Sequence, residues 1–138
     1  MLLDASAIVA ILAEEPEAEA FIGAIEAANG LVTTPVAVFE AVLGLARIRR
    51  LRVEEAEEIV RGFLDAVTAE VAPIDRLDAA AAIDAHRRYG KGRGHPASLN
   101  LGDCFAYGAA RRRGLALLFK GDDFPQTDIR PAVSFDRD

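Results

Sequence analysis

Five acidic side chains sit where charge is not simply left to solvent. Asp4 follows the apolar start MLL, and Glu40 is the sole polar side chain between Val36 and Ala46 in VAVFEAVLGLA. Asp103 stands between Gly102 and the mostly apolar run CFAYGAA, while Asp122 and Asp123 come shortly after the apolar LALLF. Each has an ordinary explanation alone. Asp4 and Asp103 suit helix N-termini, where a side-chain oxygen takes up orphan backbone N–H groups. Gly-Asp-Asp is common turn chemistry, and Glu40 has Arg47 and Arg49 within reach along its own helix. Together they suggest more. Three or more carboxylates in one crevice repel one another unless a hard cation joins them. Mg²⁺ or Mn²⁺ fits such a set, because both take oxygen ligands and retain water for chemistry.

The elements around these acids decide whether they can meet. MLL reads as a strand and Ala5–Ala13 as a helix. Pro16 opens a second helix with Ala20, Phe21, Ala24, Ile25 and Ala28 along one face, and Asn29-Gly30 stops it. LVTT, Leu31–Thr34, is a strand, and Pro35 starts a helix reaching about Arg49. Because that helix is apolar all round near Glu40, it is expected to be buried. An isolated buried carboxylate is costly unless it is paired, protonated or bound to a cation. Further elements are a helix over Val53–Val67, a strand over Val71–Ile74, a helix over Leu77–Tyr89 and a basic Gly-rich loop over Gly90–Ser98. A helix over Leu101–Arg113, a strand over Leu115–Phe119 and an edge strand over Ala132–Phe135 complete the pattern. Strands alternating with helices, and apolar runs without polar alternation, indicate an α/β fold. The expected architecture is a three-layer α/β/α sandwich around a mainly parallel sheet, one domain over residues 1–138. In such sheets ligands bind beyond the carboxyl ends of the strands. Asp4 and the Asp122-Asp123 pair lie there.

Composition sets limits. A chain of 138 residues that is 51% hydrophobic can bury a core without disulfides or structural metal. Its single cysteine, Cys104, allows no internal disulfide, and a reducing cytoplasm suits it. No segment approaches the roughly 20 apolar residues of a membrane span, and MLLDASA lacks a signal peptide's basic start. The net charge of −6 argues weakly against nucleic acid, although positive charge clusters at Arg47–Arg52, Arg87–Arg93 and Arg111–Arg113. Acids neutralised by a divalent ion would no longer repel phosphate.

The ordered set MLLDASA, PVAVFEA, LNLGDCFAYGAA and LLFKGDDFPQTDI, with the loop KGRGHPASLN, resembles the PIN-domain ribonucleases, and more narrowly the VapC toxins of bacterial toxin–antitoxin pairs. The likeness covers nearly the whole chain. It implies an Mg²⁺-dependent endoribonuclease that cuts single-stranded or loop RNA to leave a 5′-phosphate and a 3′-hydroxyl. The family's acidic quartet carries over onto Asp4, Glu40, Asp103 and an acid of the turn, with Asp122 preferred to Asp123 because it is nearer the strand. Ser6 matches the hydroxyl residue that supports the first aspartate. Asp4, Asp103 and the turn acid would hold the ion, and Glu40 would orient or deprotonate the attacking water. The resemblance also implies a VapB-like antitoxin and a homodimer. The apolar faces between Ile8 and Ile25 and around Val36 and Ile59 offer surface for such partners.

Other motifs are weaker. Gly90–His95 is not a phosphate-binding P-loop, since no Ser or Thr follows a Gly-Lys pair. It is either a solvated loop or an RNA-backbone contact through Lys91 and Arg93. Arg111–Arg113 suits a helix C-terminus. His86 and His95 with one cysteine make no structural zinc site. Phe105 and Tyr107 suit core or dimer contacts, and Cys104 a small buried hydrophobe. A phospho-acceptor signalling module also gathers acids and Mg²⁺ at strand ends. It would need an acidic pair after the first strand, where this chain has only Asp4, and Lys120 is its one matching feature. A non-catalytic module on the same fold is a third reading.

Overall fold

The computed structural model describes residues 1–135, and within them the chain forms four strands and six α-helices. In chain order these are β1 (Leu2–Leu3), α1 (Ala5–Leu12), α2 (Ala18–Ala27), β2 (Val32–Thr33), α3 (Pro35–Arg49) and α4 (Val53–Ala66). There follow β3 (Glu70–Val71), α5 (Arg76–Tyr89), α6 (Leu101–Arg113) and β4 (Leu117–Leu118), and then a 3₁₀ turn over Phe124–Gln126. The strands lie in the order β3-β2-β1-β4, all parallel.

The layers follow from the pleat. Leu2 pairs with Leu117 and Leu3 with Leu118, and successive side chains point to opposite faces. Leu3 and Leu118 face a core built with Ile8, Ile11, Phe21, Ala41, Leu45 and Val60 of α1 to α4. Leu2 and Leu117 face a second core with Ala82, Ala85, Tyr107 and Ala110 of α5 and α6. A parallel sheet covered on both faces results, which is the expected three-layer arrangement. Two side chains lock its centre. The buried Thr33 hydroxyl donates to the Leu3 carbonyl at 2.9 Å. Thr34 caps α3 by accepting from the Ala37 N–H at 3.1 Å, with Pro35 in the first helical position.

Several expected boundaries move, each for a local reason. β3 ends at Val71 instead of running to Ile74: Ala72 N–H still donates to Thr33, but Pro73 has no N–H to continue the ladder. β4 starts two residues late, because Leu115 N–H is still bonded to the Ala110 carbonyl behind the left-handed Gly114 that ends α6. No strand forms over Ala132–Phe135. Arg130 and Ala132 instead bracket Leu117 in one isolated bridge at Pro131. Most of the apolar surplus between Ile8 and Ile25 is used in the core, by Ile8, Ile11, Phe21 and Ile25, which leaves Ile22 exposed. By contrast, α3 is not buried all round: Phe39 is 63% exposed, and Leu43 and Ile48 are also exposed, as are Val53 and Ile59 on α4.

Helices α5 and α6 pack almost backbone to backbone. A Cβ on Gly108 would come within 2.9 Å of the Ala82 amide nitrogen. The same helices are pinned by charge. Asp78 is 2% exposed, completes a capping box with Asp75, and receives both Arg112 and Arg113 at 2.8 Å. The arginines of the α6 C-terminus therefore do more than answer the helix dipole. Hydrogen bonds from Arg113 hold the Asp78 carboxyl far below the usual carboxylate range. A depressed folded-state pKa contributes stability that is present above the unfolded value, near 4, and is lost as pH falls below it. Asp78→Ala is expected to cost about 2–3 kcal/mol at neutral pH, the scale of hydrogen bonds to a charged group. The deficit should shrink towards pH 2. Urea melts of both proteins across that range measure it, and a deficit unchanged at low pH would refute the assignment.

Candidate metal centre at the carboxyl ends of the strands

The first acid is placed by the end of β1. Asp4 is 5% exposed and is the N-cap of α1. Its Oδ2 accepts from the Ser6 N–H at 3.1 Å and from the Ser6 hydroxyl at 2.5 Å. The Ser6 oxygen in turn accepts the Lys120 N–H at 2.9 Å. One hydroxyl thus ties the first acid to the exit of β4, more than a hundred residues away in sequence. A backbone N–H bonded to Ser6 also fixes which way the serine proton points.

Asp103 is not itself the N-cap of α6. Asn100 holds that position and accepts the Asp103 N–H at 2.9 Å, while Asp103 Oδ2 accepts the Asn100 N–H at 3.1 Å. This reciprocal capping box fixes the carboxylate in the first turn, at the positive end of the helix dipole. The basic loop that delivers Asn100 closes on itself at its neck: Leu99 N–H donates to Tyr89 and Lys91 N–H to Leu99. His95 accepts from the Ala97 N–H and packs edge-on against Tyr89, leaving Lys91 and Arg93 exposed at the tip.

Glu40 reaches this region from α3, where its carboxyl group lies over the backbone of Gly102. It is half-buried and makes no ion pair among the described residues; Arg49 donates instead to the Leu12 carbonyl. Its electrostatics give the clearest view of the cluster. Burial, and then the charges of Asp4 and Asp103, push the Glu40 carboxyl up to about 7. Burial raises Asp103 to about 6, against the lowering effect of the capping bond from Asn100 and with smaller upward pushes from Asp4 and Asp123. Burial also raises Asp4, against the lowering effect of its bonds to Ser6. Among the described residues, no ion pair is made to any of the three.

Glu40 therefore feels the charges of Asp4 and Asp103, and Asp103 those of Asp4 and Asp123. Of the turn aspartates, Asp123 adds to the raising of Asp103. Asp122 lines a cleft further along the β4 exit with Lys120, Phe119 and Glu17. Among the described residues no three Asp, Glu, His or Cys side chains stand at the spacing of a preformed metal cage. The carboxylates are close enough to raise one another's proton affinity, which is the donor chemistry of a hard divalent cation. An all-oxygen, uncompensated set fits Mg²⁺ or Mn²⁺ and not a thiolate-seeking metal.

The remaining candidates separate cleanly. Lys120 is paired with Glu15 and, at 3.3 Å, with Glu17. It is therefore engaged on the α1–α2 connection, which removes the single feature favouring a phospho-acceptor module. Cys104 is buried, as is Tyr107, whose hydroxyl donates to Asp128. Two contributors escape the sequence. Asn100 was legible in hindsight as Asn-x-x-Asp, a capping-box spacing. The role of the Lys120 backbone N–H carried no residue-type signal at all.

Comparison with known proteins shows the family to which the fold belongs. A family model described as PIN domain matches residues 1–130. The chain is 46% identical over 138 aligned positions to a VapC ribonuclease of Rhizobium meliloti, covering 92% of this chain and 97% of that protein. It is 44% identical to ribonuclease VapC30 of Mycobacterium tuberculosis, over 94% of this chain and 95% of that protein. Ribonuclease VapC42 of the same species is 41% identical, over 97% of this chain and the whole of that protein.

The raised carboxyls have a thermodynamic signature. In the metal-free folded chain Glu40 and Asp103 keep protons up to about pH 7 and 6, where an unfolded chain has already lost them. Folding then takes up protons, so metal-free stability rises as pH is lowered from about 8 to about 5.5. Glu40→Gln and Asp103→Asn should each flatten that rise in denaturant melts. A stability that is level or falls over this interval would contradict the clustering.

Proposed function

This chain belongs to the PIN-domain family, and from that premise we propose that it is a metal-dependent endoribonuclease, the toxin of a VapC-type toxin–antitoxin pair. The observation that carries the reading is the effect of Asp4 and Asp103 on Glu40. Acids from the end of β1 and from α6 bear on Glu40 of α3, and among the described residues none of the three makes an ion pair.

Asp4, Glu40, Asp103 and a turn acid would hold Mg²⁺ or Mn²⁺, and the charge of Asp123 on Asp103 favours Asp123 over Asp122 for the fourth place. When bound, the ion supplies an acidified water and stabilises charge gathering on the phosphate. The chain's own groups do the rest. Ser6 holds Asp4 in one orientation by donating to Oδ2. The Asn100 capping box does the same for Asp103. Glu40, which makes no ion pair among the described residues, accepts the proton of the attacking water. Attack on phosphorus breaks the bond to the 3′-oxygen, leaving a 3′-hydroxyl and a 5′-phosphate. Lys91 and Arg93, exposed just ahead of Asn100, would contact the RNA backbone. The exposed apolar stripe of Phe39, Leu43 and Ile48 with Val53 and Ile59 would receive an antitoxin segment or a second copy of the chain. No helix among the described residues is long and apolar enough to cross a membrane, in keeping with action in the cytoplasm.

The test is cleavage of end-labelled single-stranded RNA by purified protein, with Mg²⁺ and with chelator, followed by mapping of the new ends. Asp4→Asn should lower the rate by about a thousandfold while retaining the fold. Asp123→Asn should cost more than Asp122→Asn. Wild-type protein that leaves RNA intact with Mg²⁺ and Mn²⁺ present would favour a non-catalytic module. Equal losses at Asp122 and Asp123 would undo the assignment of the fourth acid.

A further inference from the structure

Gly102 is a puzzling choice for the first turn of α6. It is buried, follows Asn100 and Leu101, and precedes Asp103. A glycine inside a helix is less stable than alanine there, because its backbone loses more freedom on folding. The usual compensation is a left-handed backbone, and Gly102 does not use one: the positive-φ glycines are Gly30, Gly92, Gly94, Gly114 and Gly121. Nothing in its own conformation requires glycine.

Its surroundings do. A Cβ built on Gly102 would lie 1.9 Å from Glu40 Oε1 and 2.4 Å from both Cδ and Oε2. The three nearest atoms all belong to one carboxyl group. The contrast with Gly108 is informative, since a Cβ there would meet backbone and methyl groups of α5 and so serve helix packing. At Gly102 the missing side chain makes room for a functional group on α3.

We propose that Gly102 is a positioning residue: its bare Cα is the slot in which the Glu40 carboxylate lies beside Asp103, and any side chain at 102 would expel it. The inference rests on the reading of Glu40 as the proton acceptor of an RNA-cleaving site, but the steric claim stands apart from it. Glu40 sits at the end of a flexible stem, so an added methyl group would move the carboxylate before it moved either helix. A displacement of about 1 Å at a reacting group can cost a hundredfold in rate.

The test is Gly102→Ala, read in three ways. In a crystal structure of the variant, the Glu40 carboxylate should be displaced by about 1 Å or more while α3 and α6 keep their places. With RNA and Mg²⁺, kcat should fall about a hundredfold with KM within about twofold of the parent. In a Glu40→Ala background, adding Gly102→Ala should raise the melting temperature, because the helix gains alanine and no carboxyl group remains to collide with it. A variant that keeps Glu40 in place and full activity overturns the proposal. So does a Gly102→Ala change that remains destabilising after Glu40 has been removed, which would assign the glycine to packing. If the wild-type chain cleaves no RNA, the proposed function fails, and the crystal structure and the melting cycle still decide the slot.

Discussion

Repulsion among like charges at the carboxyl ends of the strands is the constraint around which this molecule is arranged. Asp4, Glu40 and Asp103 come from three elements far apart in sequence, and each is partly removed from water. Left alone, such groups would separate or take up protons. The fold opposes separation with short-range bonds that act on oxygen atoms one at a time: Ser6 on Asp4, and the Asn100 box on Asp103. The stability needed to sustain this comes from elsewhere. Two apolar layers clamp the sheet, and the Asp78 ion pairs fasten α5 to α6 on the face away from α1–α4.

Capping and ligation might be taken as competing explanations for an aspartate at a helix start. A carboxylate has two oxygens and the capping bonds fall on one of them, so one residue has an oxygen for each. Asp4 spends Oδ2 on Ser6, and Asp103 spends Oδ2 on the Asn100 amide. In each case the cap immobilises a carboxylate whose charge is felt by the other acids. A cap used in this way supplies orientation at the cost of little extra structure, since the helix N-terminus had to be satisfied in any case.

Much of this was legible in the sequence because it is local. Alternating strand and helix signals gave the layers, and apolar strands ending in Asp4 and the Gly-Asp-Asp turn pointed to the ligand end of the sheet. What was not legible depends on where chains meet in space. The apolar run around Glu40 looks the same whether a helix is enclosed or presents Phe39 and Leu43 to the outside. Pro73 cut β3 short, although β-branched Val71 and Ile74 favoured continuation. The choice between Asp122 and Asp123 depends on the path of the turn through Gly121, whose φ of +120° no residue pattern specifies. Sequence distance from the strand favours Asp122, while the charge of Asp123 raises the Asp103 carboxyl.

The hydrogen bond from the Lys120 N–H to Ser6 has a consequence for synthesis of the protein. β4 is the last strand made, and it pairs directly with the first. A nascent chain still lacking residues beyond Arg113 has no β4 to flank β1, no anchor for the Ser6 hydroxyl and no Asp123. Until the residues beyond Arg113 have been made, Asp4 and Ser6 lack the β4 exit that braces them. A nascent chain on the ribosome that has not yet reached β4 therefore lacks this brace on its first acid.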